Sequence, residues 1–303
     1  MRLYPFGPVV LLALGCSPQA GGVPAASPLP LGAALERRLA PERGTVAVAF
    51  IDLGSGDTVF RNADLRYHAA STMKVPVLIQ LARDVDSGRT AWDEPVPVRN
   101  SFVSIADGSP FTLDPADDSD SSLYALEGQP VTQRRLAELM IERSSNLATN
   151  LLIARIDPAR VNATAHRLGA DSIQVRRGVE DDKAYAQGLN NTTTARDLAV
   201  LLAAIERHRA ASPAGTREIL RMLLAQEFNE GIPAGLPRGV RVAHKTGSIT
   251  ALLHDAAIVY PEGRAPYVLV VLTRGYQDER EAARVIADVS RIVYRQLTGA
   301  AAE

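Results

Sequence analysis

The sequence predicts an α/β chain of the α+β kind: one antiparallel five-stranded sheet flanked by helices, beside a mostly helical domain. Three observations lead there. Strand-type runs fall at both ends of the folded part, two within residues 45–60 and three within 240–273. The stretch between them carries apolar residues at helical spacing. Turn clusters, Gly54-Ser55-Gly56-Asp57 and Pro261-Glu262-Gly263-Arg264, join neighbouring runs tightly enough to make them antiparallel. Strands from the two ends then share one sheet, and a cleft between sheet and helices is the expected place for a site.

The elements follow in order. Arg2 precedes a short apolar run, Val9 to Leu14, that ends at Gly15-Cys16. The run is too short to span a bilayer and reads as a signal peptide over residues 1–16. Cys16 is placed as in a bacterial lipobox, although Ala13 stands where Leu is commoner. Export is therefore expected, either as a periplasmic protein or as a membrane-anchored lipoprotein lipidated on Cys16; cleavage elsewhere in the leader would give a secreted protein. Residues 17–30 are rich in Pro, Gly, Ala and Ser and predict a flexible tether. A folded domain is expected over 31–300, with its sheet part in 31–68 and 208–300 and its helical part in 69–207.

Leu31, Leu35 and Leu39 predict an opening helix. Thr45 to Asp52 and Thr58 to Phe60 predict a hairpin, and a helix is expected from about Ser71 to Asp86. Residues 100–122, full of Asp, Ser, Gly and Pro, predict a long exposed loop. Thr132 is placed to cap a helix carrying Leu136, Leu139, Met140 and Arg143, and Leu147, Leu151, Leu152 and Ile156 mark the next. Thr194-Ala195-Arg196-Asp197 has a capping-box pattern ahead of Leu198, Leu201, Leu202 and Ile205. Val240 to Ala243, Ala256 to Tyr260 and Tyr267 to Thr273 predict strands, and a last helix runs from about Asp278 to Leu297.

Composition excludes several function classes. The 303 residues are 46% apolar and 22% charged, an ordinary globular balance with a formal net charge of -1. There is no basic surplus of the kind that grips nucleic acid. No apolar run approaches the roughly 20 residues of a membrane span, so membrane contact is expected only through a lipid anchor. Cys16 is the lone cysteine, which rules out a disulfide within a monomer. The five His residues show no metal-ligand spacing, and His244 and His254 are expected in structural roles. No metal or cofactor is expected, and the chain is expected to be a monomer.

Lysine usage singles out the chemistry. Of 33 Lys plus Arg, only Lys74, Lys183 and Lys245 are lysines. A chain this poor in Lys keeps it where Arg cannot serve, and Lys, unlike Arg, can be tuned to lose its proton. In Ser71-Thr72-Met73-Lys74 the Ser and Lys share one helix face, so a neutral amine at Lys74 is positioned to take the hydroxyl proton. If the helix starts at Ser71, its backbone N–H is free to stabilise an oxyanion. Pro76 fits that placement. Taken alone, Ser-x-x-Lys is expected about once in a chain of this length and reads equally as a helix start. In Lys245-Thr246-Gly247-Ser248 an edge strand would offer an ammonium and hydroxyls to a substrate carboxylate, with Gly247 allowing close approach to the backbone; alone it reads as a strand end. In Ser144-Ser145-Asn146 a Ser able to relay a proton and an Asn able to bind an amide face one side of a turn, and alone that tripeptide is nearly uninformative.

Together and in this order, the three motifs resemble those of the penicillin-recognising serine enzymes, the class A β-lactamases and penicillin-binding proteins. The likeness to class A is greater. The Ser-Thr-Met-Lys helix follows an N-terminal hairpin, Asn146 leads into Leu147-Ala148-Thr149-Asn150-Leu151-Leu152, and Thr192-Thr193-Thr194 is similar to the threonine run closing that family's omega loop. The likeness spans about Leu31 to Leu297. It implies a serine hydrolase working through an acyl-enzyme on a small-molecule β-lactam or cell-wall peptide. Ser71 would be the nucleophile, Lys74 its base, and Ser144 the proton donor to the leaving nitrogen. Asn146 would hold the substrate amide and orient Lys74. Lys245, Thr246 and Ser248 would hold the carboxylate, with the Ser71 and Ser248 N–H groups as oxyanion hole. Three departures stand out. Class A enzymes activate the deacylating water with Glu in a Glu-x-x-Leu-Asn motif, whereas Ala186 precedes Leu189-Asn190 here. Glu180 is the substitute candidate, its alternative being a solvated acid paired with Arg176, Arg177 or Lys183. Ser145 replaces the usual Asp, and the acidic loop after the first motif is longer. A related D-alanyl peptidase or esterase, or a penicillin-binding lipoprotein that acylates without turnover, are the alternatives.

Overall fold

The computed structural model describes residue 1 and residues 30–299; the signal peptide, Cys16 and all but the last residue of the tether lie outside the described residues. In chain order the elements are α1 (Leu31–Leu39), β1 (Thr45–Asp52), β2 (Thr58–Arg61), β3 (Tyr67–His68), a 3-10 turn (Ala70–Met73), α2 (Lys74–Asp86), β4 (Pro95–Pro97), β5 (Phe102–Val103) and β6 (Pro110–Phe111). After them come β7 (Pro130–Thr132), α3 (Gln133–Glu142), α4 (Asn146–Ile153), α5 (Pro158–Arg167), α6 (Asp182–Ala186), β8 (Thr192–Thr193), α7 (Ala195–Glu206) and α8 (Pro213–Leu224). The chain closes with β9 (Arg241–Ile249), β10 (Leu252–Tyr260), β11 (Tyr267–Arg274) and α9 (Glu279–Thr298).

The five-stranded antiparallel sheet has the order β2-β1-β11-β10-β9, so the two ends of the chain do meet in one sheet. Side chains alternate between two buried faces. From β1, the small Ala47 and Ala49 face the core shared with α2 and α7, while Val46, Val48 and Phe50 face the one shared with α1 and α9. Val268, Val270 and Leu272 of β11 join the first set, and Tyr267, Leu269 and Val271 the second. Burial on both sides makes the central strands read as nearly unbroken apolar runs. Strand β9 is left as an edge, and the 3-10 turn at Ala70–Met73 packs directly against it.

Helix starts follow their caps. Thr132 accepts from Arg135 N at 3.3 Å and Thr194 from Asp197 N at 3.0 Å, as their patterns predict. Ser145, the residue that departs from the family pattern, is the N-cap of α4 and accepts from Ala148 N at 3.2 Å.

Three sequence expectations are corrected, and helices not singled out in the sequence are added. The Ser71 helix begins as a 3-10 turn and becomes α-helical only at Lys74, which puts Pro76 in the first α-turn, where its missing N–H costs nothing. Strand β9 runs on to Ile249, so Lys245-Thr246-Gly247 lies inside the strand rather than after it. Two further helices, α5 and α8, begin at Pro158 and Pro213, each behind a capping side chain, Asp157 or Ser212. Finally, residues 100–122 are not simply an exposed loop. They hold the β5–β6 hairpin, and Ser104, Leu113 and Asp120 are buried. Their aspartates fold the segment through short side-chain-to-backbone bonds, such as Asp107 to Ser109 N and Asp114 to Ala116 N.

Candidate active site

The turn that presents Ser71 is held from several sides. Strand β3 pairs with β8, and Ala69 N donates to Asn191 O at 2.9 Å. Ala70 has φ 44°, a left-handed conformation that costs a non-glycine residue about 1–3 kcal/mol. Its N–H donates to His68 Nδ1 at 3.0 Å, and His68 O in turn accepts from His254 Nε2 at 3.0 Å. Ser71 then opens a helical turn, where first-turn N–H groups have no intrahelical acceptor.

Gly247 has a different reason from the one its sequence suggests. A Cβ there would lie 3.0 Å from both Ser71 N and Thr72 N and 3.2 Å from Ala70 Cβ. The room left by the absent side chain is occupied by the Ser71 turn, not reserved for substrate. Gly247→Val should therefore push β9 off the turn and slow reaction at Ser71 by about 10²-fold, the cost of a small misplacement of reacting groups. Acylation by a labelled penicillin reads this; a rate within threefold of wild type would remove Gly247 from the assembly of the site.

Lys74, on the first turn of α2, is fully buried. Its Nζ donates to Ser144 O at 2.6 Å, Ser144 Oγ at 3.1 Å and Asn146 Oδ1 at 3.2 Å. Burial pulls its pKa down to about 7, against the opposing charges of Asp118 and Glu180. Lys245 is equally buried and donates from the other side to Ser144 Oγ at 3.1 Å and to Thr246 O at 3.1 Å. Burial, then the nearby Lys74, pushes its pKa well below the ordinary lysine value, against Asp255. The Ser144 hydroxyl thus sits between two lysine amines, in a turn where Ser144 itself has φ 59°.

A cleft of about 680 Å³ opens over these groups, lined by Ser71, Ser144, Thr246, Gly247, Ser248 and His254 among others. A second recess of about 410 Å³ adjoins it, lined by Ser71, Asn146, Arg177, Glu180 and Tyr185 among others. Ser71, Ser119 and Ser248 line both and so mark where the two meet. Lys245 is not among the residues lining either; it stands behind Ser144, to whose hydroxyl it donates. Ser119 was not singled out by the sequence, because a Ser in an Asp-rich loop carries no signal.

Glu180 reaches the site and Ala186 does not. Ala186, at the position the family pattern gives to Glu, is exposed at the end of α6. Glu180 Oε1 accepts from Asn146 Nδ2 at 3.1 Å. Its backbone is fixed by the neighbouring residue, because Asn150 bonds both Val179 N at 2.7 Å and Val179 O at 2.9 Å. Gly178 permits that clamp, since a Cβ there would lie 2.2 Å from Asn150 Oδ1. Next along, Asp181 accepts from Ser104 Oγ at 2.8 Å and Ile105 N at 3.0 Å, and Lys183 pairs with Asp107 at 2.9 Å. The β5–β6 hairpin is thereby tied to the segment carrying Glu180. Lys183 spends its charge on this tie, away from the cleft. Burial, then Asp182 and Asp117, raises the Glu180 pKa, while Lys74 and Arg177 oppose.

The two strand histidines are framework. His244 Nδ1 pairs with Asp255 Oδ1 at 3.0 Å, and Asp255 Oδ2 also accepts from Ile232 N at 2.8 Å. His254 holds the β3 backbone, and burial lowers its pKa to about 4, so it stays neutral near pH 7.

Comparison with known proteins bears on this arrangement. The model of the β-lactamase enzyme family matches residues 30–297. A β-lactamase of Streptomyces albus G is 30% identical over 274 residues, covering 86% of this chain and 84% of that one. A mutant of PBP-A, solved as an acyl-enzyme complex with penicillin-G, is similar at 27% identity with a TM-score of 0.76, covering 89% of this chain and 97% of that one. An ancestral class A β-lactamase (GNCA) is 26% identical with a TM-score of 0.76, covering 88% of this chain and all of that one.

Proposed function

This chain belongs to the β-lactamase enzyme family, and from that premise we propose that Ser71 attacks the β-lactam carbonyl while Lys74 takes its proton. The enzyme is a serine hydrolase of the class A β-lactamase type, and its reaction is β-lactam hydrolysis. The observation that carries the residue assignment is the Ser144 hydroxyl held 3.1 Å from two buried amines, one of them Lys74 with its pKa near 7. A base whose pKa lies near the working pH is the efficient choice.

The proposed steps run in order. Ser71 Oγ adds to the carbonyl, and its proton passes to neutral Lys74. The developing oxyanion is held by the Ser71 and Ser248 N–H groups, each such donor being worth about 10²–10³ in rate. The carbon–nitrogen bond breaks as Ser144 gives its proton to the leaving nitrogen and recovers one from Lys74. Lys245 keeps the Ser144 hydroxyl oriented from the side opposite Lys74. The Thr246 and Ser248 hydroxyls bind the substrate carboxylate, and Asn146 binds the side-chain amide. Glu180 then draws a proton from a water whose oxygen adds to the acyl carbon, and that proton passes back to Ser71 Oγ as the ester bond breaks.

The leader through Gly15-Cys16 supports export to the periplasm or the membrane surface, with Cys16 as the anchor point. A monomer suffices, because every group in the scheme comes from one chain.

Stopped-flow hydrolysis of a chromogenic cephalosporin tests the whole scheme. Turnover that continues past the first equivalent, and vanishes in Ser71→Ala, is the expected result. A burst of one equivalent followed by a stall would overturn the deacylation step and leave a penicillin-binding protein.

A further inference from the structure

We propose that Asp118 is a positioning residue for this reaction: from the acidic segment at 100–122 it fixes the first turn of α4, and with it the Asn146 side chain that Lys74 and Glu180 share. The proposal rests on the catalytic reading above.

Helix α4 begins at Asn146, and its first N–H groups have no partner within the helix. The N-cap Ser145 satisfies Ala148 N alone. Asp118 takes the other two, Oδ1 accepting from Asn146 N and Oδ2 from Leu147 N, each at 2.9 Å. Tyr124 OH donates to Oδ2 at 3.0 Å and Asp120 N to Oδ1 at 3.1 Å, so the carboxylate is itself held from two sides. The segment that delivers it is anchored where Asn100 bonds Leu113 N and O, at 2.8 Å each.

What is pinned this way is the residue joining the two halves of the mechanism. Asn146 Oδ1 receives Lys74 Nζ at 3.2 Å, and Asn146 Nδ2 gives to Glu180 Oε1 at 3.1 Å. A shift of the α4 start would loosen the acylating base and the deacylating carboxylate together. A negative charge at a helix N-terminus also favours the helix, and here it additionally favours the charged form of Lys74. The groups facing Lys74 are Asp118 and Glu180, which favour its ammonium, Lys245, which shares Ser144 Oγ with it, and the neutral Ser144 and Asn146. The flanking Asp117 lines the recess and Ser119 lines both recess and cleft, so the segment passes beside the site at the point where it caps the helix.

The test is single-turnover acylation by a fluorescent penicillin across pH 5.5–9, on wild type, Asp118→Asn and Asp118→Ala. The Asn variant keeps one acceptor and loses the charge. Acylation at pH 8 should fall about tenfold, and the acid limb should move down by about one pH unit, because Lys74 loses a charge that favours its ammonium. The Ala variant should lose about 10²-fold while the concentration dependence of labelling stays near that of wild type. An unchanged rate and limb in Asp118→Asn would overturn the proposal. So would a rate loss that merely follows a lower melting temperature while the acid limb stays put. If Asp118→Ala does not fold, the Asn variant decides alone. A wild type that never labels marks failure of the catalytic reading instead.

Discussion

Lys74→Arg is expected to slow acylation of Ser71 by about 10³-fold, within the range general-base groups supply, while leaving a folded protein. Arg keeps the positive charge and the hydrogen-bonding capacity that Ser144 and Asn146 meet, but it cannot release its proton at working pH. The loss therefore isolates base function from charge. On the proposed mechanism the active form is the neutral amine, and burial brings the Lys74 pKa down to about 7. Acylation should then be full above pH 8 and fall about tenfold per pH unit below 7. That limb should vanish in the variant. The larger side chain will also crowd the site and cost about 1–3 kcal/mol of stability, which a thermal melt reports separately. Single-turnover kinetics with a penicillin decide the matter, and a variant within tenfold of wild type would take the base role away from Lys74.

Glu180→Gln should have its effect on the opposite half of the cycle. Gln keeps an oxygen for Asn146 Nδ2 and nearly the same volume, so the recess and the acylating groups stay as they are. What it lacks is a carboxylate able to accept a proton from water. Acylation should stay within a few-fold of wild type while deacylation slows by about 10²–10⁴-fold, leaving a persistent adduct on Ser71. Intact mass measurement after penicillin treatment reads this directly. The pH dependence carries a sign as well. Burial with Asp182 and Asp117 nearby raises the Glu180 pKa, and on the proposed mechanism the ionised form is the base. Wild-type deacylation should thus weaken on acidification at a pH above the ordinary carboxylate range. Undiminished turnover in Glu180→Gln would remove it from the mechanism.

Much of this was legible before any coordinates. Ser71, Lys74 and Lys245 stood out because a chain with three lysines places two of them in short motifs, and the five strands could be counted from their apolar runs. The motif strand was harder to bound. His244 and Lys245 look unlike strand residues, and only their burial against Asp255 and Ser144 lets β9 pass through them. Helices α5 and α8 went unread, although Asp157-Pro158 and Ser212-Pro213 carry the cap-then-proline signal that starts them. Ser145 read as a departure, yet its hydroxyl caps the helix that the motif begins. Glu180 could be nominated only as a nearby acid, since its placement depends on the distant Asn150 gripping Val179. Asp118 was invisible for the same reason: nothing in an Asp-rich loop says which carboxylate will meet a helix start.

The scarcity of lysine has a practical side. Two of the three amines are sealed in the core of the site, with no side-chain surface open to solvent, whereas Lys183 keeps about 55% of its side chain exposed. Amine-directed reagents such as succinimidyl esters will therefore find one side chain and the chain terminus, and little else. The modified residue is three positions from Glu180 and bridges to the hairpin through Asp107. A dye attached there would sit beside the recess and at the hairpin tie, which gives a single-site optical label next to the segment that carries Glu180.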